Sequence, residues 1–292
     1  MAPAPIPAPR ASGFTRSTGS PLYWCSYGAP GAPRLLVLHG GPGADHAYLL
    51  PQLLELATDF ELVFYDQRGG GQSRESAPSH VTWETHVDDL ACVIAELRID
   101  PLTLVGYSWG GLLALLYARS AVTDGARPMP ARLALIDPAP VSRKYRERFE
   151  AEFARRQQGP VIQAMRSELA ASGLKERDPA AYRERAFEIS VAGYFADPRR
   201  ASDLTPFRIT GRVQQSVWES LGDFDLEADL RAVQCPTLVV HGRRDPIPLE
   251  SSESIAKSLG AEFVPLDDCG HVPYVEQPVK LFSALKRFLQ AK

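Results

Sequence analysis

Short apolar runs separated by stretches of helical spacing mark this chain from end to end. Residues 21–27, 34–38, 61–65, 102–105, 132–136, 237–240 and 262–265 read as strands. Most are continuous apolar runs, as expected of strands covered on both faces. Between them, residues 85–97, 111–119, 251–258 and 279–289 show the three-and-four spacing of helices. Strands alternating with helices predict an α/β fold with a mostly parallel central sheet and helices on both faces.

The alternation breaks between about Val141 and Leu221. That stretch is charged and helix-rich, in residues 143–156, 161–171 and 180–189, and holds no convincing buried strand. It departs from the carboxyl end of a strand, the side on which open α/β sheets bind ligands, so it is expected to form a cap. The division that follows is a Pro-rich, disordered segment over 1–20 and a first part of the core over 21–140. A helical cap over 141–222 and a second part of the core over 223–292 complete it. Alternating prolines keep the first ten residues extended.

With 292 residues, 45% of them hydrophobic, the chain can build one large core with an insertion. A formal charge of −3 argues against a nucleic-acid or anionic-membrane partner. The cysteines, Cys25, Cys92, Cys235 and Cys269, lack C-x-x-C spacing and read as free thiols, not a disulfide framework or zinc site. No basic leader precedes an apolar core at the N-terminus, and no run approaches the ~18 apolar residues that cross a bilayer. A soluble, cytoplasmic protein acting on a small molecule or short peptide is expected; oligomeric state is open.

The chemistry concentrates at strand ends. Leu102–Val105 leads into Gly106-Tyr-Ser-Trp-Gly110 and then into a Leu/Ala-rich helix. Strand, sharp turn and helix around G-x-S-x-G are the setting of a nucleophile elbow, with Ser108 as nucleophile. A serine needs a base, the base needs an orienting carboxylate, and the oxyanion needs paired donors. Asp245 follows the apolar strand and Gly turn of Thr237-Leu-Val-Val-His-Gly-Arg-Arg-Asp245. His271 lies in the loop after the last strand. His39, His46, His80, His86 and His241 all precede Asp245, so only His271 completes the order Ser, Asp, His. The backbone N–H of Trp109, at a helix N-terminus, is one oxyanion donor. Gly41, in His39-Gly-Gly-Pro-Gly43 after an early strand, is expected to supply the other.

Together, His39-Gly-Gly-Pro-Gly43, Asp66-Gln-Arg-Gly-Gly-Gly-Gln-Ser73 and Gly106-Tyr-Ser-Trp-Gly-Gly111 resemble the proline iminopeptidase-like branch of the α/β-hydrolase superfamily. His241-Gly-Arg-Arg-Asp245 and Gly270-His271 fit the same pattern. The resemblance runs from about Leu35 to the end, thinly across the cap. It implies the α/β-hydrolase fold, a Ser-His-Asp hydrolase with a helical cap, no metal and no organic cofactor. It puts Ser108, Asp245 and His271 at the triad positions and Gly41 and Trp109 at the oxyanion positions. The Asp66–Ser73 segment is then a loop beside the site that Arg68 braces.

One tract departs. Members of this branch hold a free N-terminal amine with cap carboxylates, one in a Glu-Asn-His-Tyr-Phe-like tract. Here that tract is Val191-Ala-Gly-Tyr194-Phe195: Tyr194 and Phe195 match, while Val191 stands at the glutamate position. A buried ammonium without a carboxylate is costly. Glu188, one helical turn earlier, and Glu219, near the end of the cap, are the substitutes within reach in sequence. Three readings stand: an aminopeptidase releasing small N-terminal residues; a carboxylesterase or other ester, amide or lactone hydrolase with no free-amine requirement; and a non-catalytic binding protein, which an intact triad opposes.

Overall fold

In the computed structural model, which describes residues 6–291 apart from 76, 78 and 79, eight strands join one sheet. They are β1 (Ala11–Phe14), β2 (Tyr23–Tyr27), β3 (Arg34–Leu38), β4 (Glu61–Tyr65), β5 (Thr103–Tyr107), β6 (Arg132–Ile136), β7 (Thr237–Gly242) and β8 (Glu262–Leu266). Their spatial order is β1-β2-β4-β3-β5-β6-β7-β8. The pairings from β4 through β8 are parallel; β1 with β2 and β2 with β4 are antiparallel. Helices α1 (Trp83–Leu97) and α2 (Trp109–Thr123) precede β6. Then come α3 (Arg143–Gln157), α4 (Pro160–Ala171), α5 (Leu174–Arg177), α6 (Pro179–Val191) and α7 (Gly211–Ser220), all between β6 and β7. Helices α8 (Leu249–Leu259), α9 (Pro273–Glu276) and α10 (Pro278–Gln290) finish the chain.

Alternate residues of each strand feed two separate cores. Leu36, Leu38, Val63, Leu104 and Val239 pack on one side, with Leu90 of α1, Leu112 of α2 and Ile255 of α8. Leu35, Val37, Leu62, Val105 and Val240 pack on the other, with Leu281 and Leu285 of α10. Period-two alternation with both faces apolar is why the strands read as unbroken apolar runs. Each such side chain, fully buried, contributes roughly 1.5–3 kcal/mol.

Two expectations are corrected. Residues 1–20 are not disordered throughout: residues 11–14 form β1, in register with β2 from Ala11↔Ser26 to Phe14↔Tyr23. The outer edge of β2 would otherwise leave its backbone groups unpaired, and the short Ala-Ser-Gly-Phe segment satisfies them without needing an apolar run. Arg10 adds an ion pair with Glu61, and the Phe14 ring packs edge-on against Tyr23 at 5.6 Å. Residues 1–5, where the same expectation fell, lie outside the described residues. Helix α7 was not anticipated either. It buries only Val213 and Val217, too short an apolar stripe to stand out in the sequence. Among the described residues no helix is long and apolar enough to cross a membrane.

Candidate active site

The site lies at the carboxyl ends of β3, β5, β6 and β7. Ser108 leaves β5 with φ 54° and ψ −119° before α2 begins. That left-handed conformation costs a non-glycine residue roughly 1–3 kcal/mol, so neighbours must hold it. The Ser108 N–H donates to the Ile136 carbonyl at 2.9 Å, and Ala139 N–H donates to the Ser108 carbonyl at 2.9 Å. Glycine is obligatory on both sides of the turn. A Cβ on Gly106 would stand 2.5 Å from the Gly110 carbonyl oxygen, and one on Gly110 would stand 2.0 Å from that of Leu38.

Three distant segments meet at this turn. His271, in the loop after β8, places Nε2 2.9 Å from Ser108 Oγ. Its Nδ1 lies 2.7 Å from Oδ2 of Asp245, which follows β7. The other oxygen of Asp245 accepts the Ile247 N–H at 2.7 Å. The imidazole is clamped: its ring lies between Tyr107 at 5.2 Å and Tyr194 at 5.1 Å. Its backbone N–H donates to the Tyr194 carbonyl at 2.7 Å, and Tyr107 Oη–H donates to the His271 carbonyl at 2.8 Å. Burial pushes the His271 pKa down to about 4, against the opposing pull of Asp137 and Glu276. Burial pushes that of Asp245 up, opposed by the hydrogen bonds that favour its carboxylate, the Ile247 N–H among them. Burial therefore favours the neutral imidazole.

The loop after β3 closes the other side. Gly40 touches the nucleophile, for a Cβ there would lie 2.9 Å from Ser108 Cβ. The Gly40 N–H donates to Tyr48 Oη at 2.7 Å, and Gly41 follows at φ +58°. Trp109 opens α2, where first-turn N–H groups lack helical partners. Its indole donates to Gln67 Oε1 at 2.8 Å, and Gln67 Nε2 donates to the His39 carbonyl at 2.8 Å. So the Asp66–Ser73 loop ties the Gly40–Gly41 turn to the start of α2. Arg68 holds that loop to α1 through Asp89, at 2.8 Å, and to Glu75, at 3.2 Å.

The helical segment packs onto this rim. Thr210 N–H donates to the Gly43 carbonyl at 2.9 Å, and Phe207 lies 4.4 Å from the Tyr48 ring. Arg156 of α3 donates to the carbonyls of Arg244, at 2.6 Å, and Asp245, at 3.3 Å. Of the three cap residues singled out in the sequence, Tyr194 meets the imidazole. Glu188 is buried on α6 and paired with Arg185. Glu219 is exposed on α7, accepts from Gln215 at 2.7 Å, and lines a 670 Å³ cavity with Arg143 and Arg146. None of the lining residues of that cavity is Ser108, Asp245 or His271.

Alpha/beta hydrolase fold is the description of the family that matches residues 33–278. The chain belongs to this family and is a hydrolase. It is 26% identical to a proline iminopeptidase of Saccharolobus solfataricus, covering 95% of this chain and 91% of that protein. It is 27% identical to a proline iminopeptidase of Levilactobacillus brevis, covering 88% of each. The crystal structure of a proline iminopeptidase-related protein from Thermus thermophilus superposes with a TM-score of 0.71 at 24% identity, over 96% of each chain.

Sequence reasoning missed two acids beside the Ser108, His271 and Asp245 row. Asp137 ends β6 next to Asp245 and is fully buried. Its signal was available: like Asp245, it stands at the carboxyl end of an apolar strand run. Glu276, on α9, accepts the N–H groups of Gly270 at 2.7 Å and Ala196 at 2.8 Å, tying the His271 loop to the helical segment. Nothing local in the sequence marks it.

Proposed function

We propose that the protein is a serine hydrolase working through an acyl-enzyme on Ser108. The observation that carries this reading is the unbroken row from Asp245 through His271 to Ser108 Oγ, at 2.7 and 2.9 Å. His271 Nε2 takes the serine proton as Oγ attacks the acyl carbon. Nδ1–H stays on the Asp245 carboxylate, which fixes the tautomer and stabilises the imidazolium. The N–H groups of Gly41 and Trp109 receive the oxyanion, each worth roughly 3–4 kcal/mol in the transition state. His271 then protonates the leaving group, and a water deprotonated by the same nitrogen releases the acid.

For the substrate, the geometry favours a neutral acyl group in an ester, amide or lactone. A free-amine substrate needs an available carboxylate, and both cap candidates are otherwise placed: Glu188 faces Arg185, and Glu219 is exposed beside Gln215. A second reading, release of small N-terminal residues, rests on the names of the curated relatives. One panel separates them: short acyl esters, proline and alanine anilides, and the N-acetylated anilides, each with wild type and Ser108→Ala. Turnover of esters and acetylated anilides supports the first reading. Turnover confined to free-amine substrates establishes the second, and turnover that survives Ser108→Ala removes both.

A further inference from the structure

Asp137 holds a buried carboxyl oxygen that no group among the described residues satisfies. It leaves β6 at φ +41°, has no solvent exposure, and accepts the Gly242 N–H on Oδ1 at 2.8 Å. Oδ2 is buried without a partner. Oxygens of Asp137 and Asp245 and a ring nitrogen of His241 lie within 4.8 Å of one another. The two carboxyl groups therefore lie close together in the interior. Two ionised carboxylates in contact in a dry site repel strongly, so one must carry a proton.

The surroundings decide which. His241 is neutral, its pKa pushed down to about 3 by burial. Its Nε2–H donates to the Ile247 carbonyl at 3.2 Å, which leaves Nδ1 to accept from Ser252 Oγ at 2.9 Å. Neither nitrogen has a proton for Asp137 or a lone pair for a metal ion. Glu276 is occupied by the N–H groups of Gly270 and Ala196. Arg156 spends its donors on carbonyls and Glu152. The Cys269 thiol and the Tyr107 and Tyr274 phenols are pushed further towards their neutral forms by burial. Asp245, by contrast, receives the Ile247 N–H on one oxygen and His271 Nδ1–H on the other.

We propose that Asp137 is a positioning residue that keeps its proton at neutral pH and donates it in a hydrogen bond to the Asp245 carboxylate. The Asp137 Oδ2–H then gives that oxygen the partner it lacks and spreads the charge of Asp245. His271 can thereby keep its proton on Nδ1 and present a bare Nε2 to Ser108. The catalytic part of this inference rests on the serine-hydrolase reading; the protonation of Asp137 does not.

The test compares Asp137→Asn with Asp137→Gly. Both residues tolerate the positive φ, and only asparagine restores a donor. Infrared difference spectra of wild type against Asp137→Asn should show a protonated carboxyl band at neutral pH that the variant lacks. In pH profiles of kcat/KM, Asp137→Asn should stay within about threefold of wild type. Asp137→Gly should move the lower limb up by ~1 pH unit, because an ionised Asp245 has lost a donor. An absent band, or a lower limb that moves down on removing Asp137, overturns the proposal, since an ionised neighbour would have been raising Asp245. If Asp137→Gly fails to fold, the band alone decides. If Ser108 takes no fluorophosphonate, the serine-hydrolase reading fails while the band still reports on the proton.

Discussion

Asp245, His271 and Ser108 form one row of acid, imidazole and hydroxyl, spaced 2.7 and 2.9 Å. Asp66, His46 and Cys25 form a second row of acid, imidazole and thiol, spaced 2.7 and 3.2 Å. Each imidazole also packs against two aromatic rings: Tyr107 and Tyr194 for His271, Tyr23 and Phe64 for His46. Spacing therefore does not separate them. Charge and access do. Burial works against a charge on His46, but its hydrogen bonds with Asp66 and Cys25 outweigh burial and lift its pKa to about 10. His46 is an imidazolium at neutral pH and has no lone pair to offer as a base. His271 has a pKa pushed down to about 4 and is ready to accept a proton. Ser108 is partly accessible, whereas Cys25 is 0% exposed within β2. The first row ends at a partly exposed hydroxyl. The second is a brace: Asp66 also accepts the N–H groups of His46, at 3.1 Å, and Gln72, at 2.8 Å. It locks the loop after β3 to the loop after β4.

The sharpest way to break this contrast is to remove each nucleophile. Ser108→Ala should lower turnover of an acyl ester by roughly 10⁴-fold or more. Cys25→Ala, measured per folded molecule, should stay within about threefold, because a sealed thiol meets no substrate. Comparable losses in the two variants would put the chemistry elsewhere.

Replacing the acids should split function from stability. Asp245→Asn should cost roughly 10³–10⁴-fold in kcat, through the wrong imidazole tautomer. Asp66→Asn should cost ~3–5 kcal/mol in urea unfolding, because it strands the His46 charge in the core. A stable Asp66→Asn protein would mean that His46 is not charged.

Stability against pH sharpens the comparison further. The His46 pKa is raised on folding, from 6.5 to about 10. Its contribution is therefore full below pH 6.5 and lost as pH rises through about 10. The His271 pKa is lowered on folding, from 6.5 to about 4, so its neutral state costs stability as pH falls from 6.5 towards 4. In urea titrations, wild type should lose its advantage over His46→Gln between pH 6.5 and 10. An advantage that grew over that interval would contradict an imidazolium at His46.

The smallest effect is expected at the rings. Tyr194→Ala removes a stacking partner worth ~0.5–1.5 kcal/mol, so kcat/KM should fall a few-fold. Tyr23→Ala should leave kcat/KM per folded molecule unchanged and lower only the unfolding midpoint. Steady-state kinetics on both variants reads the difference.

Much of this molecule was legible before any coordinates. The runs at 34–38, 61–65 and 132–136 coincide with β3, β4 and β6, because a strand covered on both faces is apolar past its first residue, here Arg34, Glu61 and Arg132. Ser108, Asp245 and His271, which the fold brings together, stood out because each follows such a run. Strand β1 was not legible, since edge pairing satisfies backbone groups that carry no side-chain signature. The partners of Glu188 and Glu219 are Arg185 and Gln215, three and four residues earlier on the same helices, so those pairs were legible in the spacing; that Glu188 is buried and Glu219 exposed was not.

The linear chain by itself determined the alternating elements, the sharp turn at Ser108 and the order in which Ser108, Asp245 and His271 follow their strands. These depend on local backbone preference and on which side chains can leave water. The tertiary structure alone decided that Asp137 meets Asp245, that Glu276 clasps Gly270, and that His46 is charged while His271 is neutral. Those outcomes depend on burial and on charges brought together from residues far apart along the chain, and a pKa belongs to its surroundings as much as to its residue.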